Sequence, residues 1–176
     1  MKTIRSRQGG TPSPDASSEG ARARRKRSRS RRRPSGSSPG DQGLDNAQLS
    51  GASLLQAELA GASLNGADLT GALLVDARLA GALLRSARMD GANLRAADLT
   101  GADLTGASLR GADLRHTRLC GSSLSGVDLQ DADLRGAFCD DRTRWPAGFS
   151  PRGRGLLKLE DDGGSVHPLD ERDRAE

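Results

Sequence analysis

Tyrosine is absent from the 176-residue chain, and only three aromatic residues occur: Phe138, Trp145 and Phe149. A core built on large rings is therefore excluded for everything before residue 138, as is any platform on which nucleic-acid bases could stack. Histidine and cysteine number two each, His116, His167, Cys120 and Cys139, at spacings that make neither a zinc site nor a nucleophile–base pair. No apolar run approaches the ~20 residues of a membrane span. No apolar stretch follows the opening basic residues or the arginines at 31–33. No secretory or twin-arginine signal is expected, and a cytoplasmic protein is the default. Phosphate-binding loops, catalytic serine motifs and the nonapeptide that binds Ca²⁺ in other β-solenoids are missing too. These absences point away from an enzyme, a cofactor and a metal.

What is present is a period of five. From Ala47 to Gly136 a unit Ala–polar–Leu–x–Gly recurs eighteen times without insertion. Its central residue is Leu in every unit but one, where Met89 stands. Two places earlier sits Ala, replaced only by Thr117, Ser122 and Val127, and two places later Gly occurs twelve times. On an α-helix, Leu every fifth residue would wind around the whole surface, and each Gly would cost roughly 0.8–1 kcal/mol relative to Ala. On an extended segment, Ala and Leu point to one side and the residue between them to the other. The last two residues then turn the chain, which suits Gly. One unit is thus a short strand and a corner, unable to bury its own Leu. A stack of units buries them all, which is the logic of a solenoid.

Units such as GADLT at 66–70 and 101–105, GANLR at 91–95 and GADLR at 111–115 resemble the pentapeptide-repeat family, and DDRTRWPAGF at 140–149 is similar to the segment that closes such proteins. The resemblance implies an all-β fold, a right-handed quadrilateral β-helix with four units per coil, here about 4.5–5 coils. Composition and the repeat bounds together divide the chain into a disordered basic tail at 1–43, too poor in apolar side chains to order, the β-helix at 44–141 and a C-terminal cap and polar tail at 142–176. With twenty residues per coil, Glu58, Arg78, Asp98 and Arg118 stack with alternating sign, an arrangement that favours neighbouring strands. Asp113 and Arg115, and likewise Asp133 and Arg135, flank one inward Leu each and can pair locally.

The outward positions are polar except for Leu55, Leu73 and Val75 on one face and Leu83 on another. The cluster is either a contact surface or is covered by the entering chain at 41–46, and the second reading is preferred. Phe138, Trp145 and Phe149 are expected to lid the C-terminal end. Leu156, Leu157 and Leu159 either continue that cap or, as in dimeric relatives, supply a homodimer contact. Cys120 is placed outward and Cys139 inward, which disfavours a disulfide between them.

Charge is segregated. Residues 1–40 hold twelve Lys/Arg and two acids, a balance of +10, whereas residues 41–141 hold fourteen acids and eight Arg, a balance of −6. The basic run Arg22, Arg24, Arg25, Lys26, Arg27, Arg29, Arg31, Arg32 and Arg33 can neutralise phosphates without reading sequence, or can simply be a solvated tail. The leading functional reading is a non-catalytic, rigid protein-interaction scaffold. The family resemblance implies an alternative, DNA mimicry and binding to DNA gyrase, with Asp103, Asp113 and Asp133 standing for phosphates. A duplex ~22 Å long carries about 13 charges, well above the net −6 here. Non-specific nucleic-acid binding through the tail is the third reading.

Overall fold

The computed structural model describes residues 43–160 and 164–169. The basic run at 22–33 lies outside the described residues. Among the described residues there is no helix, and residues 43–160 wind as a right-handed four-sided β-helix closed by a C-terminal cap.

Coil length is fixed by the bridges. Gly43 pairs in parallel with Ser63, Gln48 with Asp68, Ser53 with Leu73 and Glu58 with Arg78, and the twenty-residue offset continues to Arg118 and Phe138. The winding therefore begins one unit before the sequence repeat, with Leu44 as its first central residue. Units centred on 44 through 139 at five-residue spacing complete five coils. The four walls are named by their first central residue: wall A by Leu44, wall B by Leu49, wall C by Leu54 and wall D by Leu59.

Each unit is held by a repeating set of backbone hydrogen bonds. The central N–H donates to the next coil, as Leu49 N does to Asp68 O at 2.7 Å, and the corner N–H does likewise, as Gly51 N does to Thr70 O at 2.8 Å. The residue before the centre donates back, as Asp68 N does to Ala47 O at 2.9 Å, and the corner closes through Ala52 N to Leu49 O at 3.0 Å. The third residue of each corner takes positive φ, near +65° at Gly51 and Gly61, which is why Gly recurs there. Asn46, Gln56, Asp76, Ser86, Ala96, His116 and Asp131 hold the same conformation without being Gly.

That ladder leaves one N–H per unit unused, that of the residue after the central Leu, and the outward Asp or Asn before the Leu accepts it. Thr100 N donates to Asp98 Oδ1 at 3.0 Å, Thr105 N to Asp103 Oδ1 at 3.0 Å and Arg115 N to Asp113 Oδ1 at 3.1 Å. The preference for Asp or Asn in the repeat thus has a backbone cause.

Inside, Leu stacks on Leu and Ala on Ala, with Leu64 through Leu119 and Met89 fully buried. The small polar exceptions at Ala positions are buried as well: Ser122 Oγ donates to Leu119 O at 2.7 Å, and the Thr117 hydroxyl donates to Leu114 O. Leu44, Leu49 and Leu54 in the first coil are only half-buried.

At the far end the chain changes pattern. The run Asp140–Thr143 adds one residue, so Ser123 bridges Arg144, and Trp145 takes the inward place above Leu124. Phe149 stacks on Trp145 with ring centroids 5.1 Å apart, and both pack against the end of the core. Phe138 does not join this lid; it occupies an outward position on wall D, bridged to Arg118. Three strands finish wall D: β1, Phe138–Cys139; β2, Leu157–Leu159; and β3, Val166–Pro168. β1 and β2 pair in parallel, whereas β2 and β3 pair antiparallel, so the last rung reverses direction. Leu156 is fully buried and continues the interior, as one reading of the apolar run at 156–159 had it.

Candidate protein-contact face

Wall C carries the exposed apolar cluster. Going up the wall, the outward position before each central residue holds Ser53, Leu73, Asn93, Asp113 and Asp133, and the one after it holds Leu55, Val75, Arg95, Arg115 and Arg135. Leu55 is 53% exposed and Leu73 42%, with Val75 half-buried between them. Residues 43–46 form the first strand and corner of wall A, bridged to Ser63, and do not cover this cluster. The expectation that residues 41–46 cover it is corrected for 43–46; residues 41–42 lie outside the described residues.

The upper part of the wall is a charged network. Arg115 Nη2 lies 2.6 Å from Asp113 Oδ2, and Arg135 Nη2 lies 2.6 Å from Asp133 Oδ2. Arg115 Nε also comes within 3.7 Å of Asp133, which links the two rows. Hydrogen bonding from Arg135 is the main reason that the Asp133 carboxyl titrates at about 2. Asp113 is likewise held below the usual carboxylate range, chiefly by its bond from Arg115. Arg95 stands exposed in the row below, with no acidic side chain in its own row.

Asp103 does not belong to this group. It sits on wall A above Leu83, which is 40% exposed, and pairs with Arg85 at 2.6 Å. Burial opposes its charge most, yet the bonds from Thr105 and Arg85 together hold its carboxyl below the ordinary value. The three carboxylates proposed to mimic phosphates therefore lie on two walls, and each is matched to an arginine. On wall D the alternating column is in register, Glu58 to Arg78 to Asp98 to Arg118, but the close ion pair is Glu58 with Arg78 at 3.2 Å. Asp98 uses its carboxylate on Thr100 N instead.

The C-terminal end holds two features that the sequence reading did not place. Asp140, almost fully buried, accepts from Gly121 N at 2.7 Å, from the Thr143 hydroxyl at 2.9 Å and from Arg142 Nε at 3.0 Å. Burial is the strongest single influence on it, but these bonds outweigh it and keep the carboxyl below its ordinary value. The second feature is a groove of about 750 Å³ beside Trp145, Arg152, Lys158 and His167. Lys158 occupies the inward register position opposite Cys139 and pairs with Asp141 at 3.0 Å and Glu160 at 3.2 Å.

Cys120 is buried at 8% exposure despite its outward register position, and Cys139 is buried at 2%; both thiols are free. Burial, helped by Cys120 and Asp140, pushes the Cys139 thiol up to about 12, which makes it a poor nucleophile. His116 lies exposed at a wall C corner, its ring above Gly136, and His167 is exposed in β3. Neither histidine side chain makes a hydrogen bond or an ion pair among the described residues. Among the described residues, no three His, Cys, Asp or Glu side chains group to hold a metal ion, and no helix is long and apolar enough to cross a membrane.

Comparison with known proteins agrees with this architecture. The family model for pentapeptide repeats matches in eight copies, over residues 44–79, 62–101, 72–111 and 102–138. Among solved structures, the chain is similar to alr5209, a pentapeptide repeat protein from Nostoc Pcc 7120, with 38% identity over 57% of this chain and 84% of that one, at a TM-score of 0.57. It is also similar to Rfr23, a pentapeptide repeat protein from the cyanobacterium Cyanothece 51142. There the identity is 35% over 53% of this chain and 63% of that one, at a TM-score of 0.51. QnrB1, a plasmid-mediated fluoroquinolone resistance protein, is 20% identical over 61% of this chain and 67% of that one. Its TM-score is 0.31, too low to carry an argument. No curated protein matches the chain.

Proposed function

The chain belongs to the pentapeptide-repeat family, and from that premise we propose that it acts as a non-catalytic scaffold whose wall C receives a protein partner. The observation that carries this reading is the pairing of Leu55 and Leu73, 53% and 42% exposed on adjacent coils, with a charged network higher on the same wall. Apolar side chains beside ordered charges are the composition of a contact surface, in which burial supplies affinity and charge supplies orientation. Rigidity supports it further. Every coil is bonded to the next through each of its four sides, so little order remains to be imposed on binding.

DNA mimicry has weaker support. A stand-in for duplex DNA needs carboxylates free to face a basic groove, at one charge per ~1.7 Å. Here Asp103, Asp113 and Asp133 are each within 2.6 Å of an Arg nitrogen and each accept a backbone N–H. The reading predicts no inhibition of gyrase supercoiling by this protein, even in large excess. Inhibition that weakens when those three residues are neutralised together would reinstate mimicry.

The scaffold reading is tested by capture from native lysate using the full chain, residues 41–176 and the Leu73→Asp variant, each with and without nuclease. A protein retained after nuclease by the first two and lost with Leu73→Asp is the expected result. Capture that depends on residues 1–40 and vanishes with nuclease would overturn it in favour of nucleic-acid binding.

A further inference from the structure

Wall C is complementary to itself. We propose that this wall pairs two copies of the chain side by side, about a two-fold axis parallel to the axis of the β-helix. The inference rests on the reading of wall C as a contact surface and names its occupant.

The argument is one of register. On every row of the wall the two outward side chains are the residue before and the residue after the central one. When two identical walls face each other about such an axis, strand directions oppose. The residue before the centre in one copy then meets the residue after it in the other, at the same height. An isologous interface requires that each such meeting be favourable, because it occurs twice.

On wall C three of the five rows are complementary, and none sets like charges against each other. Leu73 meets the partner's Val75, and Leu55 meets only the small Ser53 of the partner subunit. Higher up, Asp113 meets the partner's Arg115, and Asp133 meets the partner's Arg135. Each copy already pairs these side chains along its own row at 2.6 Å. Bringing two rows together closes a square of four alternating charges, with opposite signs along all four sides. Between the apolar and charged parts, Arg95 meets an amide, Asn93 of the partner subunit.

The same operation fails on the other walls. Wall A would set Leu83 against the partner's Arg85, and wall D would set Arg78 against the partner's Ala80. Wall B matches one charged row, Arg88 with the partner's Asp90, and offers no apolar row. Complementarity of both kinds occurs on wall C, which is also where Leu55 and Leu73 stand exposed.

Size sets the strength. Five rows at ~4.8 Å make the wall about 24 Å tall, and three extended residues make it about 10 Å across. Two such faces of about 240 Å² each bury on the order of 500 Å² in total, in the range of weak, transient contacts. A weak dimer, with a dissociation constant of roughly 100 µM or more, is therefore expected, oriented by its charges and held by its leucines.

The test is the oligomeric state of the full chain, by sedimentation velocity across about 10–1,000 µM at physiological salt. Two charge variants decide it. Asp113→Arg with Asp133→Arg makes the upper wall all-positive, and Arg115→Asp with Arg135→Asp makes it all-negative. Each alone is expected to lose dimerisation at least tenfold, whereas an equimolar mixture of the two associates at least as tightly as the unaltered chain. Circular dichroism melts establish that both variants fold. Leu55→Ser with Leu73→Ser touches no hydrogen bond of the wall and is expected to weaken the dimer by about tenfold as well. A chain that stays monomeric throughout, or a dimer indifferent to all these substitutions, overturns the proposal. A monomer leaves the scaffold reading standing, since that reading is judged by retention of a different protein.

Discussion

Replacing Leu99 by Asp should abolish the cooperative unfolding transition of the β-helix. Leu99 belongs to the third of five coils, is fully buried, and stacks in the wall D column between Leu79 and Leu119. Its backbone is fixed above and below, with Leu99 N donating to Arg118 O at 2.9 Å and Asp98 N to Ala77 O at 2.9 Å. Because the ladder sets the coil height, neighbours cannot collapse into a void. Truncation to Ala should therefore cost near the top of the usual range, about 4–5 kcal/mol. Asp adds an unpaired carboxylate in an apolar column, several kcal/mol more. Against a total stability of roughly 5–15 kcal/mol, that sum unfolds the domain. The control is one residue away. Asp98→Ala loses the bond to Thr100 N, 3.0 Å long, worth about 0.5–1.5 kcal/mol, and should lower the midpoint by only a few degrees. Far-ultraviolet circular dichroism during heating reads both. A Leu99→Asp variant melting within a few degrees of the unaltered chain would refute the inward stacking of the central residues.

Acid should destabilise the fold in a defined window. Asp103, Asp113, Asp133 and Asp140 titrate below the ordinary carboxylate value when folded, so their contribution is complete above the unfolded pKa near ~3.9 and is lost as pH falls through the folded values, about 2 at Asp133. Thermal midpoints should be flat from neutral pH down to about 5 and fall between about 4 and 2, less steeply in Asp133→Asn. At the corners, Gly136→Ala should cost more than Gly71→Ala, because a Cβ at 136 would lie 2.6 Å from His116 Nδ1 whereas that at 71 meets open space. His116→Ala should erase the difference between them in urea titrations. Finally, if all nine cations at 22–33 contact phosphate, binding of a labelled duplex should show a log–log salt slope of about −8 and disappear when residues 1–40 are removed. Equal binding with and without those residues would assign the tail no nucleic-acid role.

The interior was legible because Ala and Leu two residues apart can share a side only on an extended chain, and period five fits no helix. Four sides per coil did not follow from that spacing; it came with the family resemblance. The β-helix bound at 44 likewise came with the resemblance, because the unit of Leu44 lacks the Ala and Gly that mark the repeat from Ala47 onward. Trp145 could not be placed inward by counting, since the extra residue in Asp140–Thr143 shifts the register from twenty to twenty-one. Phe138 precedes that shift, and counting from Arg118 places it outward, so grouping it with the lid followed only from its nearness to the other aromatics. The backbone role of Asp98, Asp103, Asp113 and Asp133 was readable in principle: an Asp two residues before an unpaired N–H is a known local acceptor. Treating those residues only as surface charge overstated their freedom to mimic phosphate. Charge sign alone also failed on wall D, where Asp98 spends its carboxylate on Thr100 N rather than on Arg118. Grouping Leu55, Leu73 and Val75 needed only the twenty-residue coil, whereas their exposure depended on the path of residues 43–46.

The claim that wall C is the contact surface is tested most directly by a wall-by-wall scan of the full chain. One reversal is placed on each side: Leu83→Asp on wall A, Asp128→Arg on wall B, Leu73→Asp on wall C and Arg118→Glu on wall D. Retention of the bound protein, and the sedimentation coefficient of the chain itself, are then measured for all four. The account predicts that Leu73→Asp alone loses association while the other three match the unaltered chain. Loss on wall A, B or D with wall C unaffected would contradict it.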